Sequence, residues 1–147
     1  MISIYKNMDI HQYLSALKES RLKITPGRRA VIELFLERGK YLGPYEVRAA
    51  LKKRLLRLGL PSVYRILEEL KDSGILVKIE HSSRQLYYSL CRKPHLDHHH
   101  FICRKCNKVE EVEFCNFREI SQFIEKKLNG RVQHHALHIE GLCSACR

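Results

Sequence analysis

Two Cys-x-x-Cys pairs constrain this chain more than any other feature of its sequence. Cys103 and Cys106 form the first pair, and Cys143 and Cys146 form the second pair after 36 intervening residues. Each pair supplies two thiolates about as far apart as a tetrahedral ion needs, and four thiolates leave no position for water, as in structural zinc sites. The pattern predicts a closed zinc site that ties the C-terminal tail back to the first pair. Two disulfides are the alternative interpretation.

The cellular compartment bears on the choice between zinc and disulfides. The sequence contains no stretch of about 20 apolar residues that could cross a membrane. Its first residues, MISIYKNMDIHQYL, lack the apolar run of a secretory signal. We therefore expect a cytoplasmic protein without membrane contact, in a compartment that keeps thiols reduced. A redox role for one Cys-x-x-Cys pair would need a thioredoxin-like context, which the sequence does not offer.

Charge and metal-binding residue types divide the chain near residue 91. Residues 1–90 have 17 Lys and Arg against 9 Asp and Glu, whereas residues 91–147 hold all six cysteines and seven of the nine histidines. A net charge as positive as the +11 of this chain is typical of proteins that bind a polyanion, although a solvated basic surface is the alternative. We predict a nucleic-acid-binding domain at 1–91 and a metal-binding domain at 92–147.

Apolar periodicity predicts an α+β protein. The first domain has helical spacing in four segments, 9–20, 25–38, 44–56 and 61–73, followed by strand alternation at 75–80 and 85–90. Thr25 and Pro26 are typical of a helix start, and Gly39 and Gly74 of helix ends. This order predicts a winged helix-turn-helix. The second domain is predicted to be α/β, with strands at 101–103, 108–114 and 131–141 and a helix at 117–128.

Three consecutive histidines, His98, His99 and His100, lead into the strand FIC. Successive side chains of a strand point to opposite faces. His98 and His100 are therefore expected on one face, with Asp97 and His99 on the other, so that one segment feeds two metal sites. A polar surface run is the alternative. Cys115 has no obvious companions in the sequence, which favours a buried or idle thiol.

Four stretches give the chain a resemblance to a known family. KITPGRRAVIELF, PSVYRILEELKDSGIL, HHHFICRKCNKVEE and HHALHIEGLCSAC follow one another across nearly the whole sequence. They resemble the ferric uptake regulator (Fur) superfamily of bacterial metal-responsive repressors, and most closely its zinc-sensing (Zur) branch. The resemblance implies a homodimer in which a winged-helix domain precedes a dimerisation domain that carries the structural zinc.

The resemblance also implies a regulatory metal site between the two domains. Its ligand positions correspond to Cys91, His98 and His100, with His81 in the wing turn as the candidate fourth ligand and Glu80 as the alternative. Iron-sensing members usually have a carboxylate where this chain has Cys91, and a histidine where it has Tyr41. Because sulfur with imidazole suits zinc better than an oxygen-rich site would, the departure favours zinc as the regulatory ion.

A third metal site is implied on the other face of the histidine strand. Its ligands would be Asp97, His99, Glu119 and His135, with Glu113 as a rival to Glu119. Asp97 stands where many members have histidine, which places occupancy of this site in question.

The same resemblance places the helix beginning at PSVYR in the major groove of DNA. Ser62, Tyr64 and Arg65 are then the expected contacts, with Arg28 on an earlier helix as a contact to the DNA backbone. Arginine is the usual reader of base edges and a frequent phosphate contact. A solvated helix face for Arg28 and a half-buried tyrosine for Tyr64 are the alternatives. Two such domains on a two-fold axis imply a pseudo-palindromic operator in double-stranded DNA.

The sequence therefore predicts a metal-responsive, DNA-binding transcriptional repressor with zinc as co-repressor. An iron, manganese or peroxide sensor of the same family is the nearest alternative, with Fe²⁺ or Mn²⁺ as the regulatory ion, and a thiol switch through Cys91 or Cys115 is another. A zinc enzyme would need an open metal position and a general base, and the chain has no H-E-x-x-H or H-x-E motif. A metal-storage protein would not need Tyr64, Arg65 and a basic first domain.

Overall fold

The computed structural model describes residues 8–80, 85–92, 94, 99–106, 108–112, 114–133, 135 and 137–147. The chain divides into two compact units, Met1–Leu96 and Asp97–Arg147, so that the division falls a few residues after the border at 91 that composition predicts. Within the described ranges, every helix is too short or too polar to cross a membrane.

The N-terminal unit is a winged helix-turn-helix. Its elements are α1 (Ile10–Glu19), α2 (Pro26–Arg38), α3 (Pro44–Leu51), α4 (Leu60–Asp72), β1 (Leu76–Glu80) and β2 (Leu86–Leu90). The strands β1 and β2 pair antiparallel, with Leu76 opposite Leu90 and Glu80 opposite Leu86. This hairpin is the wing that the alternation of residues 75–90 predicts.

The ends of α2 follow from its sequence. The Oγ1 of Thr25 accepts a hydrogen bond from the backbone N–H of Arg28 at 3.3 Å, and Pro26 occupies the first turn, where its missing N–H costs nothing. Gly39 ends the helix in the left-handed conformation, with φ of 58°, and its N–H donates to the carbonyl of Phe35. The predicted helix start and stop are confirmed.

The side chains of α4 divide into a buried and an outward set. Its apolar residues are buried in the core of the unit: Val63, Ile66, Leu67 and Leu70. Residues Ser62 and Tyr64 are partly exposed, and Arg65 is exposed. Burial of the apolar set holds α4 to the unit, while the polar set remains available to a partner.

The helix α3 is shorter than the spacing of apolar residues predicts. It ends at Leu51, whereas the prediction continued it to residue 56. The carbonyl of Leu51 accepts from the N–H groups of both Arg54 and Leu55, which marks a tightened final turn. Leu55, which the pattern places inward, packs against the core although it lies beyond the helix, whereas Leu56 is 86% exposed.

The C-terminal unit is built on one three-stranded sheet and a helix. Its elements are β3 (His99–Cys103), β4 (Val109–Val112), α5 (Phe117–Leu128) and β5 (His138–Gly141). The strand order is β4-β3-β5, with β4 antiparallel and β5 parallel to β3. The central strand β3 begins within the histidine run, so its histidines belong to the sheet.

The strand β5 is shorter than the predicted strand at 131–141. It pairs with β3 only from His138 to Gly141, opposite His100 to Cys103. Those of residues 131–137 that the structure describes are not in a strand. A Cβ on Gly141 would lie 2.9 Å from a ring carbon of Phe101, which accounts for glycine at this close strand contact.

Candidate metal centres and nucleic-acid interface

The two Cys-x-x-Cys pairs come together in the C-terminal unit. The sulfur atoms of Cys103, Cys106, Cys143 and Cys146 all lie within 4.8 Å of one another. The sulfurs of Cys106 and Cys143 are 3.6 Å apart. Zinc–sulfur bonds of about 2.3 Å place two sulfurs of a tetrahedron about 3.8 Å apart, whereas a disulfide bond is about 2.05 Å long. All six cysteines of the chain are thiols. The geometry fits a closed tetrahedral metal site, as the spacing predicts.

The backbone around these sulfurs favours negative charge on one of them. Cys103 ends β3 and is fully buried, and its sulfur accepts from the N–H of Cys143 at 3.3 Å. Hydrogen bonds from the N–H groups of Cys106 and Cys143 lower the pKa of Cys103 to about 6. The neighbouring thiols raise the pKa of Cys146 to about 12. Without a cation the neighbouring thiols therefore oppose ionisation of Cys146, and a divalent ion would remove that opposition.

A second cluster in the same unit joins two imidazoles and a thiol. The Nε2 atom of His135 lies 3.4 Å from the sulfur of Cys115 and 3.4 Å from Nε2 of His99. His99 is buried at the start of β3, and Cys115 is exposed in the segment before α5. The ring of Phe117 stacks on the ring of His135 with centroids 4.0 Å apart and planes 10° apart. We call these three residues the His99–Cys115–His135 cluster.

This cluster differs from the third site that the resemblance implies. His99 and His135 come together as expected, but Cys115 stands beside them, so the interpretation of Cys115 as a thiol without companions is wrong. The carboxylate of Glu119 instead accepts from the side-chain amide of Asn116 at 2.5 Å. Asp97 and Glu113 lie outside the described residues. Sequence spacing gives no signal for Cys115 as a partner of these histidines, because the folded path of the chain before α5 is what brings its sulfur beside them.

The structure describes only some of the expected regulatory ligands, namely Cys91 and His100. His81 and His98 lie outside the described residues, as does the side chain of Glu80. Cys91 directly follows β2 and is buried, and its N–H donates to the carbonyl of Ile75 at 2.8 Å.

His100 has a carboxylate neighbour within the C-terminal unit. It lies opposite Glu111 in the β3–β4 pair, and a ring nitrogen and a carboxylate oxygen of the two are within 4.8 Å. Reasoning from the sequence missed Glu111 as a ligand candidate. The alternation of polar and apolar residues in VEEVEF indicates a strand with acidic side chains, but it does not indicate which of them lies opposite His100.

The residues predicted to contact DNA lie in the N-terminal unit. The side chain of Arg65 is 72% exposed on α4, with Nε 4.0 Å from Glu69, and Ser62 and Tyr64 are partly exposed. Arg28 differs from the expectation for a DNA contact, since its side chain is only 15% exposed and its guanidinium is bonded to Glu69. The remaining position singled out by the resemblance, Tyr41, packs edge-on against Tyr87 with ring centroids 4.8 Å apart.

Comparison with known proteins relates these features to one family. The model of the ferric uptake regulator family matches residues 19–140. The ferric uptake regulation protein of Bacillus subtilis (strain 168) is 30% identical over 133 residues, which cover 88% of this chain and 89% of that protein. A structure of a zinc uptake regulator complexed with zinc and DNA has a TM-score of 0.76 at 25% identity and covers 92% of this chain and 91% of its own. A structure of holo XcZur has a TM-score of 0.72 at 27% identity, with coverage of 92% and 94%.

Proposed function

The chain belongs to the ferric uptake regulator family of metal-responsive transcription regulators, which are not enzymes, and on this premise we propose that it is a homodimeric repressor whose co-repressor is zinc. The proposal places the protein in the cytoplasm, where thiols remain reduced and DNA is accessible. It assigns zinc to the four-cysteine site as well, since four sulfur ligands without a water position are typical of structural zinc.

The thiol of Cys91 is the observation that carries zinc as the signal. By the family resemblance it stands where iron-sensing members usually have a carboxylate, and in the structure it is buried directly after β2. Thiolate and imidazole together favour zinc over harder ions such as Mn²⁺. Likeness to a zinc uptake regulator complexed with zinc and DNA supports the same assignment.

We assign the regulatory site to Cys91, His98 and His100, with His81 as the fourth ligand. The position of Glu111 opposite His100 adds a carboxylate that competes with His81 for that role. Zinc held by all of these ligands would restrict the freedom of the two recognition helices of the dimer. Zinc would favour the DNA-competent arrangement only to the extent that these ligands bind it more tightly there.

The exposed side of α4 is the proposed reading surface for DNA. Arg65 is the candidate for contact with a base edge, and Tyr64 and Ser62 would contact bases or phosphates beside it. We now assign Arg28 to positioning α4 through Glu69 instead of to a direct phosphate contact. A two-fold dimer of such domains requires a pseudo-palindromic operator.

The helix α5 is the proposed dimer contact. It has no buried residue, and three of its apolar side chains, Ile120, Phe123 and Leu128, are 56%, 59% and 69% exposed. Sequence periodicity groups these residues on one face, where a globular chain would bury them. A second copy of the chain covers that face in the proposed assembly.

Operator binding under defined metal conditions tests the proposal. Purified protein with its four-cysteine site filled would be titrated with free zinc, and separately with ferrous iron under anaerobic buffer. We expect zinc to increase operator affinity in the wild type and to have little effect in Cys91→Ser. The variant Cys91→Asp restores a carboxylate, so we expect it to respond less to zinc and more to iron.

The nearest competing function is a sensor of iron, manganese or peroxide. Iron-dependent operator binding that is unchanged in Cys91→Ser would overturn the zinc proposal in favour of that class. Operator affinity that is indifferent to every metal tested would remove the metal-responsive mechanism itself.

A further inference from the structure

We infer that Cys115, His99 and His135 form a thiolate-bearing metal site for zinc and similar soft or borderline divalent ions. The inference goes beyond the proposed sensing site, because none of these three residues belongs to it. It also differs from the third site implied by the resemblance, in which Glu119 supplies an oxygen.

The distances between the donor atoms carry the inference. Zinc bonds of about 2.3 Å to sulfur and about 2.05 Å to nitrogen give tetrahedral separations of about 3.3 to 3.6 Å between donors. The sulfur of Cys115 and Nε2 of His99 each lie 3.4 Å from Nε2 of His135. The three donor atoms, which all lie within 4.8 Å of one another, are therefore placed close to three corners of one coordination tetrahedron.

Hydrogen bonding alone explains this arrangement poorly. The Nε2 atom of His135 has one in-plane direction, in which it either donates or accepts. It nevertheless faces both the sulfur of Cys115 and Nε2 of His99 at equal distance. An ion between them would engage one lone pair from each residue. Stacking of Phe117 on His135 fixes the ring plane in which that lone pair lies.

The thiolate determines which ions the site prefers. One sulfur and two imidazoles suit Zn²⁺ and Co²⁺ and disfavour Mg²⁺ and Mn²⁺, which prefer oxygen ligands. An ion here would fasten the start of α5 and the segment before β5 to the first residue of β3. Since the next residue of β3 is His100, occupancy of this site would also steady the backbone of a proposed regulatory ligand.

Cobalt binding to a variant without the regulatory thiol isolates the site. In Cys91→Ser protein with zinc held in the four-cysteine site, Cys115 is the remaining thiol outside that site. Addition of Co²⁺ should then produce a sulfur-to-cobalt charge-transfer band in the near ultraviolet at one equivalent per protomer. We expect Cys91→Ser/Cys115→Ser to lose the band and Cys91→Ser/His135→Ala to need at least tenfold more Co²⁺. Replacement of the exposed His11 on α1 is the matched control and should leave the titration unchanged.

Retention of one tightly held zinc in every variant shows that the C-terminal unit is folded. Cobalt bound only by imidazole and carboxylate would give visible bands without the charge-transfer band, and that result would overturn the inference. A charge-transfer band that persists after replacement of Cys115 would overturn it as well. Neither result depends on operator binding, so the zinc-sensing proposal stands or falls separately.

Discussion

Arg28 on α2 contacts a single carboxylate oxygen of Glu69 on α4 through two guanidinium nitrogens. Its Nε donates to Oε2 at 2.9 Å, and Nη2 lies 2.9 Å from the same oxygen. Its Nη1 also donates to the carbonyl of Lys23 at 2.7 Å. The side chains of Arg28 and Glu69 are 15% and 27% exposed, so the pair is partly withdrawn from water. The residue predicted to contact the DNA backbone thus joins α4 to α2 within the N-terminal unit.

Arg28→Ala should destabilise the N-terminal unit. The change leaves a carboxylate and a carbonyl without their charged donor, and we expect the free energy of unfolding to fall by about 1–2 kcal/mol. Arg29→Ala is the matched control, because the Arg29–Glu33 pair is a surface contact with Arg29 52% exposed, and its loss should cost less than about 0.5 kcal/mol. Urea unfolding of zinc-loaded proteins measures both. If both variants lost equally little stability, Arg28 would not be needed to position α4, and a direct contact with DNA would be the better assignment.

Tyr88→Phe should remove a pH-dependent part of the stability. The buried hydroxyl of Tyr88 donates to Oε1 of Glu68 at 2.5 Å. This hydrogen bond, followed by those from Lys78 and Lys71, lowers the pKa of Glu68 from 4.5 to about 2 against the opposing effect of burial. A depressed carboxyl pKa stabilises the fold above about pH 4.5, and the contribution is lost as pH falls toward 2.

The destabilisation caused by Tyr88→Phe should therefore be larger near pH 6 than near pH 3. Urea unfolding of wild type and variant at both pH values measures this difference in unfolding free energy. Because both proteins contain the same cysteine site, its sensitivity to acid does not contribute to the difference. Tyr87→Phe is the neighbouring control, since the Tyr87 hydroxyl meets Gln85 at the surface. A difference between wild type and Tyr88→Phe that is constant across this pH range would show that Glu68 does not titrate as described.

Arg65→Ala should weaken operator binding and relax sequence preference. A bidentate arginine contact with a base contributes about 1–3 kcal/mol of discrimination, so we expect affinity to fall by about 5- to 150-fold. Arg118→Ala removes the same charge from an exposed position on α5 and should change affinity much less. Fluorescence anisotropy with operator and scrambled duplexes at one salt concentration measures both effects. Equal losses for the two variants on both duplexes would mean that Arg65 contributes only charge.

Cys143→Ser should remove one zinc per protomer and unfold the end of the C-terminal unit. Cys143 contributes both its sulfur and the backbone N–H that donates to Cys103. Ser144→Ala lies within the same motif, is exposed, and should retain the ion. Metal analysis and amide hydrogen exchange at β5 measure the two consequences. Full zinc content in Cys143→Ser would show that the four-cysteine cluster is not the structural site.

Local sequence signals predicted the N-terminal unit and the four-cysteine cluster well. Helix ends such as Thr25 and Gly39 depend on their own turn of chain, and two Cys-x-x-Cys pairs have few ways to satisfy four thiolates. The length of β5 could not be predicted in this way. A strand extends only as far as its pairing does, and β5 pairs with β3 over His138–Gly141, a limit that the polarity alternation of residues 131–141 does not reveal.

The metal-site candidates that sequence reasoning missed depend on tertiary contacts. Glu111 meets His100 through the register of β3 and β4, which alternation of polar and apolar residues does not determine. Cys115 reaches His99 and His135 because the chain before α5 passes beside β3, although 15 residues separate Cys115 from His99 in the sequence. Glu119 was favoured by resemblance, but its carboxylate meets Asn116.

Phe123→Asp should convert the proposed dimer to a monomer. Phe123 is 59% exposed at the middle of α5, between Ile120 and Leu128, and an isolated C-terminal unit would leave these apolar side chains in water. A carboxylate at the centre of an apolar interface loses hydration without gaining a partner, which opposes association by several kcal/mol. Light scattering at micromolar concentration measures the mass directly. The zinc of the four-cysteine site should be retained, because none of its ligands lies on α5.

Gln122→Asp adds the same charge at the adjacent exposed position and should leave the dimer intact. If α5 forms the contact, the monomeric Phe123→Asp variant should also bind a single half-site about as well as a complete operator, since the gain from two linked domains disappears. A Phe123→Asp protein that remains dimeric would place the two-fold contact on another surface. A wild-type protein that is monomeric in zinc would contradict the proposed homodimer in the absence of DNA.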